Sequence, residues 1–132
     1  MASQDEFLSA QKLLRLGTVG PDGTPHVVPV WYAYESNVFH IGTSTKTKKA
    51  RNVMQNGRVS FCVDTGVNAP NICGVMGQGR ARLIRDGRVQ AIAERILARY
   101  YDSLDNPAAQ ELLRDTDCII EIFPHTTTMW KY

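Results

Sequence analysis

With 132 residues, 43% of them hydrophobic and 21% charged, the chain has the length and composition of one globular domain spanning 1–132, which excludes disorder and leaves no room for a second core. A net charge of +2 is too small for a surface that engages nucleic acid or membrane in general, so any anionic partner is expected to be small. Cys62, Cys73 and Cys118 are odd in number and lack a C-x-x-C spacing or a nearby histidine pair, so neither a disulfide framework nor a metal site is expected, and they read as buried strand residues in a reducing compartment.

Ser3-Gln4-Asp5-Glu6 has the form of a capping box, and Phe7, Ala10, Leu13 and Leu14 follow at roughly helical spacing, which predicts a first helix from about residue 4. Alternation through Leu14, Leu16 and Thr18 predicts a strand that turns at Gly20-Pro21-Asp22-Gly23 and returns as Pro25 to Tyr34. Glu35-Ser36-Asn37 turns the chain again into Val38–Ile41, completing a three-strand meander. A short helix with Ala50, Val53 and Met54 on one face ends near Asn56-Gly57, and Arg58 to Asp64 alternates as a fourth strand. A loop over 65–71 leads to a long strand, Ile72 to Ile84, whose Gly74, Gly77 and Gly79 predict a bend, a bulge or a close approach. Val89, Ile92, Ala93, Ile96, Leu97, Tyr100 and Tyr101 form the clearest helical stripe and read as core packing. Asn106-Pro107 starts a short helix through about Arg114. Cys118–Phe123 is the last predicted strand, ended by Pro124 and followed by a tail that carries Trp130. Strands joined by hairpin-length turns predict a mainly β fold, an antiparallel sheet closing as a small barrel with peripheral helices.

The stretch Gly42 to Asn52 asks for a ligand. Lys46, Lys48, Lys49 and Arg51 crowd the first turns of the short helix, where the macrodipole already places positive charge and each cation costs roughly 0.3–1 kcal/mol. A bound phosphate would relieve the conflict, and the hydroxyls, free backbone N–H groups and cations there are the donors it needs. The other reading is a solvated basic helix.

In order along the chain, Gly17-Thr18-Val19 with Pro21-Asp22-Gly23-Thr24-Pro25, Val28-Pro29-Val30-Trp31-Tyr32, Thr43-Ser44 with Lys49-Ala50-Arg51-Asn52, Arg58-Val59-Ser60 and Gly79-Arg80-Ala81 resemble the pyridoxamine 5'-phosphate oxidase-like family. These are flavin-binding split β-barrels that also include deazaflavin-dependent reductases. The resemblance implies a flavin phosphate held by Lys49 and Arg51, with Lys48, Thr43, Ser44 and Thr47 helping. It places the isoalloxazine along Val28, Pro29, Val30 and Trp31. Proline has no N–H and suits a strand whose ladder is open there; a plain edge-strand proline is the alternative. In the family the cofactor sits between two subunits, so a homodimer is implied, with Gln78 and Trp130 as residues that reach a cofactor held by the partner; for Trp130, core or dimer packing is the alternative. Val28 stands where the oxidases of the vitamin B6 pathway carry an arginine, and the tail lacks their arginine-containing segment, so the chain is expected to be a short, different member of the family.

The implied activity is an FMN-dependent oxidoreductase acting on a small organic substrate, in which the cofactor supplies the redox chemistry and no protein acid or base is obligatory. The nearest alternative is a reductase using the deazaflavin F420, with Lys46, Arg80 and Arg82 available for its acidic tail. Others are a flavin-carrying or haem-binding protein without turnover and a small basic nucleic-acid module, the last disfavoured because the cations are confined to one helix start. His26, His40 and His125 read as structural, and Tyr32 and Tyr34 either fill the barrel or line the substrate side. No apolar run approaches 18 residues and no leader is evident, which predicts a cytoplasmic protein without a membrane partner.

Overall fold

The computed structural model describes residues 3–132. Helix α1 (Gln4–Ala10) is followed by strands β1 (Leu14–Val19), β2 (Pro25–Val30), β3 (Ala33–Glu35) and β4 (Val38–Thr43). Helix α2 (Lys48–Gln55) precedes β5 (Arg58–Thr65) and β6 (Cys73–Ile84), and α3 (Val89–Leu97), α4 (Pro107–Asp115) and β7 (Cys118–Lys131) complete the chain. The caps follow the predicted chemistry: Ser3 Oγ accepts from the Glu6 N–H at 3.1 Å, and Asn106 Oδ1 accepts from the Ala108 N–H at 2.8 Å with Pro107 in the first helical position.

The seven strands form one antiparallel sheet in the order β2-β1-β5-β6-β7-β4-β3. Its two edge strands, β2 and β3, are consecutive in sequence and joined only by Trp31 and Tyr32. Three virtual bonds span at most about 11 Å, so the edges must meet at that corner and the sheet must curl. β2 and β3 do not pair with each other, so the barrel is split there. The predicted continuous strand from Pro25 to Tyr34, and with it the three-strand meander, is therefore corrected. The chain leaves the ladder at Trp31 and Tyr32 because side chains satisfy the Tyr32 backbone: its N–H donates to Tyr100 Oη at 2.9 Å and its carbonyl accepts from Arg99. Pro29 sits on edge strand β2, where the missing N–H is tolerated. The β3–β4 turn uses Ser36 (φ 52°) and Asn37 (φ 64°), the left-handed pair that a two-residue hairpin requires.

Alternation buries Leu14 and Leu16, Phe39 and Ile41, Val59, Phe61 and Val63, and Ile120 and Ile122 inside the curl, where Tyr32 is also fully buried. Tyr32 thus fills the barrel, and burial pushes its phenol up to about 12 while it donates to the Leu8 carbonyl. A smaller cluster lies on the outer face of β7, where Ala93 and Ile96 of α3 cover Ile119 and Ile84. The stripe from Val89 to Tyr101 is helical only to Leu97. Tyr100 and Tyr101 lie in the turn beyond it.

Strand β7 does not stop at Pro124. It runs to Lys131 beside β6, and His125 is the extra residue of a bulge, with Pro124 opposite Gly79 and Thr126 opposite Gln78. The bulge accommodates a proline inside a paired strand. A Cβ on Gly77 would lie 2.4 Å from the Thr126 carbonyl oxygen and 2.6 Å from Phe61 Cζ, and one on Gly79 would lie 2.3 Å from the Phe123 carbonyl oxygen. Gly77→Ala is expected to cost about 1–3 kcal/mol of stability. Thermal unfolding checks this, and an unchanged midpoint would show that β7 shifts aside freely.

Candidate functional site

The basic turn between β4 and α2 is built by its own hydroxyls. Thr47 caps α2, accepting from the Ala50 N–H at 3.4 Å and donating to the Ser44 carbonyl at 2.8 Å, while Thr43 Oγ1 lies 3.1 Å from Thr47 Oγ1. Since Thr47 has spent its one hydrogen, Thr43 is the donor of that pair, and neither threonine has a proton left for an anion. Ser44 Oγ accepts from the Lys46 N–H at 3.2 Å and keeps its hydrogen. A carboxylate braces the turn from outside: Asp117 accepts from the Thr45 N–H at 2.8 Å and from Thr45 Oγ1 at 3.1 Å, and its own N–H donates to the Thr43 carbonyl at 3.1 Å. The Thr45 N–H is the main cause of the lowered Asp117 pKa, with Lys46 adding to it.

The four cations point to different surroundings. Lys49 is half-buried, and none of the ion pairs among the described residues includes it. Burial pushes its amine below the usual lysine range. It lines a cleft of about 450 Å³ together with Pro29, Val30 and Trp31 at the end of β2, Gly42 of β4, and the apolar faces of α3 and α4. Lys48 and Arg51 are exposed outside that cleft, and Lys46, Ser44 and Thr47 line a separate pocket with Arg114 and Asp117.

The cleft's shape depends on the corner between β2 and β3. Trp31 stacks on Tyr100, with ring centroids 4.2 Å apart and planes 5° apart, and meets Tyr101 edge-on at 5.9 Å. Tyr100 Oη, besides accepting from the Tyr32 N–H, donates to the Lys12 carbonyl at 2.8 Å. One face of Trp31 is therefore covered by the turn after α3, and only the rest borders the cleft.

Of the residues expected at the site, Pro29, Val30, Trp31 and Lys49 come together, and Thr43, Ser44 and Thr47 shape the adjoining turn. Val28 packs inward against the core. Gln78 lines a different groove on the outer face of the sheet, and Trp130 is opposite Gly74 in the β6–β7 pair with its ring where a Gly74 Cβ would be, lining neither. Arg80 shares the groove of Gln78, and Arg82 Nε donates to Glu121 at 2.8 Å, so neither extends the Lys49 cleft. His40 is satisfied as expected. Arg95 donates to its Nδ1 at 2.8 Å, which leaves Nε2–H to donate to Glu121 at 2.8 Å. Burial raises the Glu121 pKa, and the bonds from His40 and Arg82 outweigh it, leaving the group below its usual value. His26 departs from expectation, since its buried Nδ1 has no partner.

Sequence reasoning did not place Leu13, Ala93, Ile96, Leu97, Leu112 and Thr116 in the cleft. The stripe of α3 carried the signal, but periodicity alone does not separate a face that packs on the core from one that also walls a cavity.

The family model described as Pyridoxamine 5'-phosphate oxidase matches residues 2–131. A 5a,11a-dehydrotetracycline/5a,11a-dehydrooxytetracycline reductase of Streptomyces rimosus is 40% identical over 62 residues, which is 44% of this chain and 44% of that protein. The chain thus spans less than half of that relative. A crystal structure of a conserved hypothetical protein of Mycobacterium tuberculosis superposes with a TM-score of 0.84 at 25% identity, covering 99% of this chain and 86% of that one. An F420 reductase superposes with a TM-score of 0.77 at 26% identity over 97% of this chain and 98% of that one.

Proposed function

The chain belongs to the pyridoxamine 5'-phosphate oxidase family, and on that premise we propose that it is an oxidoreductase that holds a phosphorylated flavin in the Lys49 cleft and acts on a small organic molecule. The observation that carries the proposal is a half-buried lysine, without an anionic partner among the described residues, at the wall of an apolar cleft. A desolvated cation of this kind is costly unless an anion meets it. Lys49 then holds the phosphate, while Trp31, Pro29 and the apolar faces of α3 and α4 offer a dry wall to a planar ring. The flavin supplies the electron transfer, and the chain's part is to bind, orient and exclude water. With Val28 packed into the core, the second strand offers no cation there, which argues against pyridoxamine 5'-phosphate itself as the substrate.

FMN is the first cofactor to test. The deazaflavin F420 is a second reading, favoured by the likeness to an F420 reductase over almost the whole of both chains. A homodimer is part of the proposal. Val27, 68% exposed, and Met76, 49% exposed, supply apolar area on the outer sheet face, and Gln78 opens onto that face away from its own chain's cleft.

The test is titration of the purified protein with FMN and with F420, followed by absorption and fluorescence. Saturable binding of one or the other is expected and selects between them. Binding of neither would sink the proposal, and mixing the loaded protein with reduced nicotinamide and electron acceptors then separates an enzyme from a carrier.

A further inference from the structure

A row of charged side chains crosses the sheet where α3 covers it. In the register Arg82 of β6 is opposite Glu121 of β7, and Glu121 is opposite His40 of β4. Glu121 accepts from Arg82 Nε and from His40 Nε2, each at 2.8 Å, and the side chains of His40 and Glu121 are only 15% and 11% exposed. Arg95 of α3 reaches this row, with its guanidinium 2.8 Å from His40 Nδ1 and 3.8 Å from Glu35 of β3. A guanidinium only donates, so Nδ1 accepts and the one proton of the neutral ring sits on Nε2. The row is then balanced: Arg82 and Arg95 against Glu121 and Glu35, with His40 neutral. Arg88, ahead of α3, adds positive charge near Glu121 and is itself paired with Asp86. Among the described residues Arg95 is the only side chain of α3 that hydrogen-bonds to the sheet. The helix otherwise rests on apolar packing of Ala93 and Ile96, and it starts without a side-chain cap. The same helix turns Ala93, Ile96 and Leu97 to the Lys49 cleft.

We propose that neutral His40 is a positioning residue for the cleft: it holds α3 through Arg95, and its protonation releases Arg95 and loosens the wall that α3 gives to the cleft. A protonated ring donates from both nitrogens, so its Nδ1–H would face a guanidinium that has no lone pair to offer. The bond to Glu121 is kept in both forms. The contact with Arg95 is therefore what separates the anchored helix from the loosened one, and by linkage the charged ring favours the loosened one. Glu35, 73% exposed, is the partner to which Arg95 falls back. The consequence for the cofactor rests on the assignment of the flavin to the Lys49 cleft, whereas the consequence for α3 does not.

The test is NMR and amide hydrogen exchange on the unliganded full chain between about pH 5 and pH 8, the range in which histidines change charge. At the upper end the ring nitrogens of His40 are expected to report the Nε2–H tautomer. As the ring gains its second proton, the α3 amides are expected to lose protection, corrected for intrinsic exchange, by about two- to fivefold relative to those of β5, the size of a half-exposed contact. His40→Gln keeps an acceptor for Arg95 and a donor for Glu121 but cannot be charged, so it should hold its protection at every pH. Arg95→Met should be as weakly protected at the upper end as the natural chain is at the lower, with no step between. Affinity for FMN should follow the same pattern. The FMN phosphate also titrates at about pH 6, but equally in all three proteins, so the difference between the natural chain and His40→Gln isolates the ring. An Nδ1–H tautomer, α3 protection that is unchanged with pH, or the same change in His40→Gln would overturn the proposal. A pH-dependent loss of α3 protection in a chain that binds no flavin would uphold the role of His40 and sink the flavin site instead.

Discussion

Lys49→Ala is expected to weaken FMN or F420 binding by about 10- to 150-fold while leaving the fold intact. A charge-assisted hydrogen bond from a lysine to a phosphate contributes about 1.5–3 kcal/mol, and each 1.4 kcal/mol is a factor of ten in affinity. Lys49 is the cation of the turn that faces the cleft, whereas Arg51 is exposed outside it, so Arg51→Ala should have a much smaller effect. Fluorescence titration of the two variants makes the comparison, and equal losses would place the phosphate nearer to the exposed face of α2. Without ligand, the sign on stability reverses. Burial disfavours the charged amine, so Lys49→Met should raise the unfolding midpoint of the unliganded protein. The pH dependence follows from the lowered pKa. Between the folded value and the ordinary value of 10.5 the unfolded chain keeps a proton that the folded chain has lost, so this residue's contribution to stability rises with pH in that window. Phosphate binding needs the protonated amine, so cofactor affinity should fall as pH rises through the same window. The variant should lack that alkaline loss.

The basic turn was legible in the sequence because four cations at a helix start conflict with its dipole, and the structure distributes them in a way that pattern does not show. Lys49 lies three and four positions before Asn52 and Val53, both buried, so it shares the inward face of α2; Lys48 and Arg51 are three apart on the outward face. The antiparallel barrel was legible from the hairpin turns, although those turns point to a closed one; its split is implied by the family resemblance, with Pro29 in keeping with an open ladder. What the alternation of Pro25 to Tyr34 hid was the corner at Trp31 and Tyr32. Both residues have strand propensity, and the reason they leave the ladder lies in Arg99 and Tyr100, nearly seventy positions away in the chain. Pro124 misled for a related reason. A proline ends a strand when its neighbour needs an N–H at that position, and the bulge at His125, opposite the glycines of β6, removes the need.

Arg99→Ala is expected to cost about 3–5 kcal/mol, the largest single loss of stability anticipated in this chain. The guanidinium donates to three carbonyls from two separate segments: Tyr32 at the corner, and Ser9 at 2.8 Å in the last turn of α1 with Gln11 at 2.6 Å just beyond it. It also stacks over the Tyr32 ring at 4.8 Å, and its own carbonyl accepts from Lys12. Hydrogen bonds to a charged donor contribute about 1.5–3 kcal/mol each, and partial exposure of the Ser9 bond places the total below the sum of three. The Tyr32 carbonyl has left the ladder, so removing the guanidinium takes away its charged partner and loosens the direct link between the two edges of the sheet. For a domain of this size the loss corresponds to a fall of about 10–20 °C in the unfolding midpoint. Arg99→Lys should recover little of it, because a single ammonium cannot reach three carbonyls with the fixed fork of a guanidinium. The corner also carries Trp31, so at temperatures where the variant is still folded, cofactor affinity should fall although Arg99 does not line the cleft. A variant that unfolds early but binds with unchanged affinity would show that Tyr100 alone holds Trp31 in place, and that the corner serves the barrel rather than the cleft.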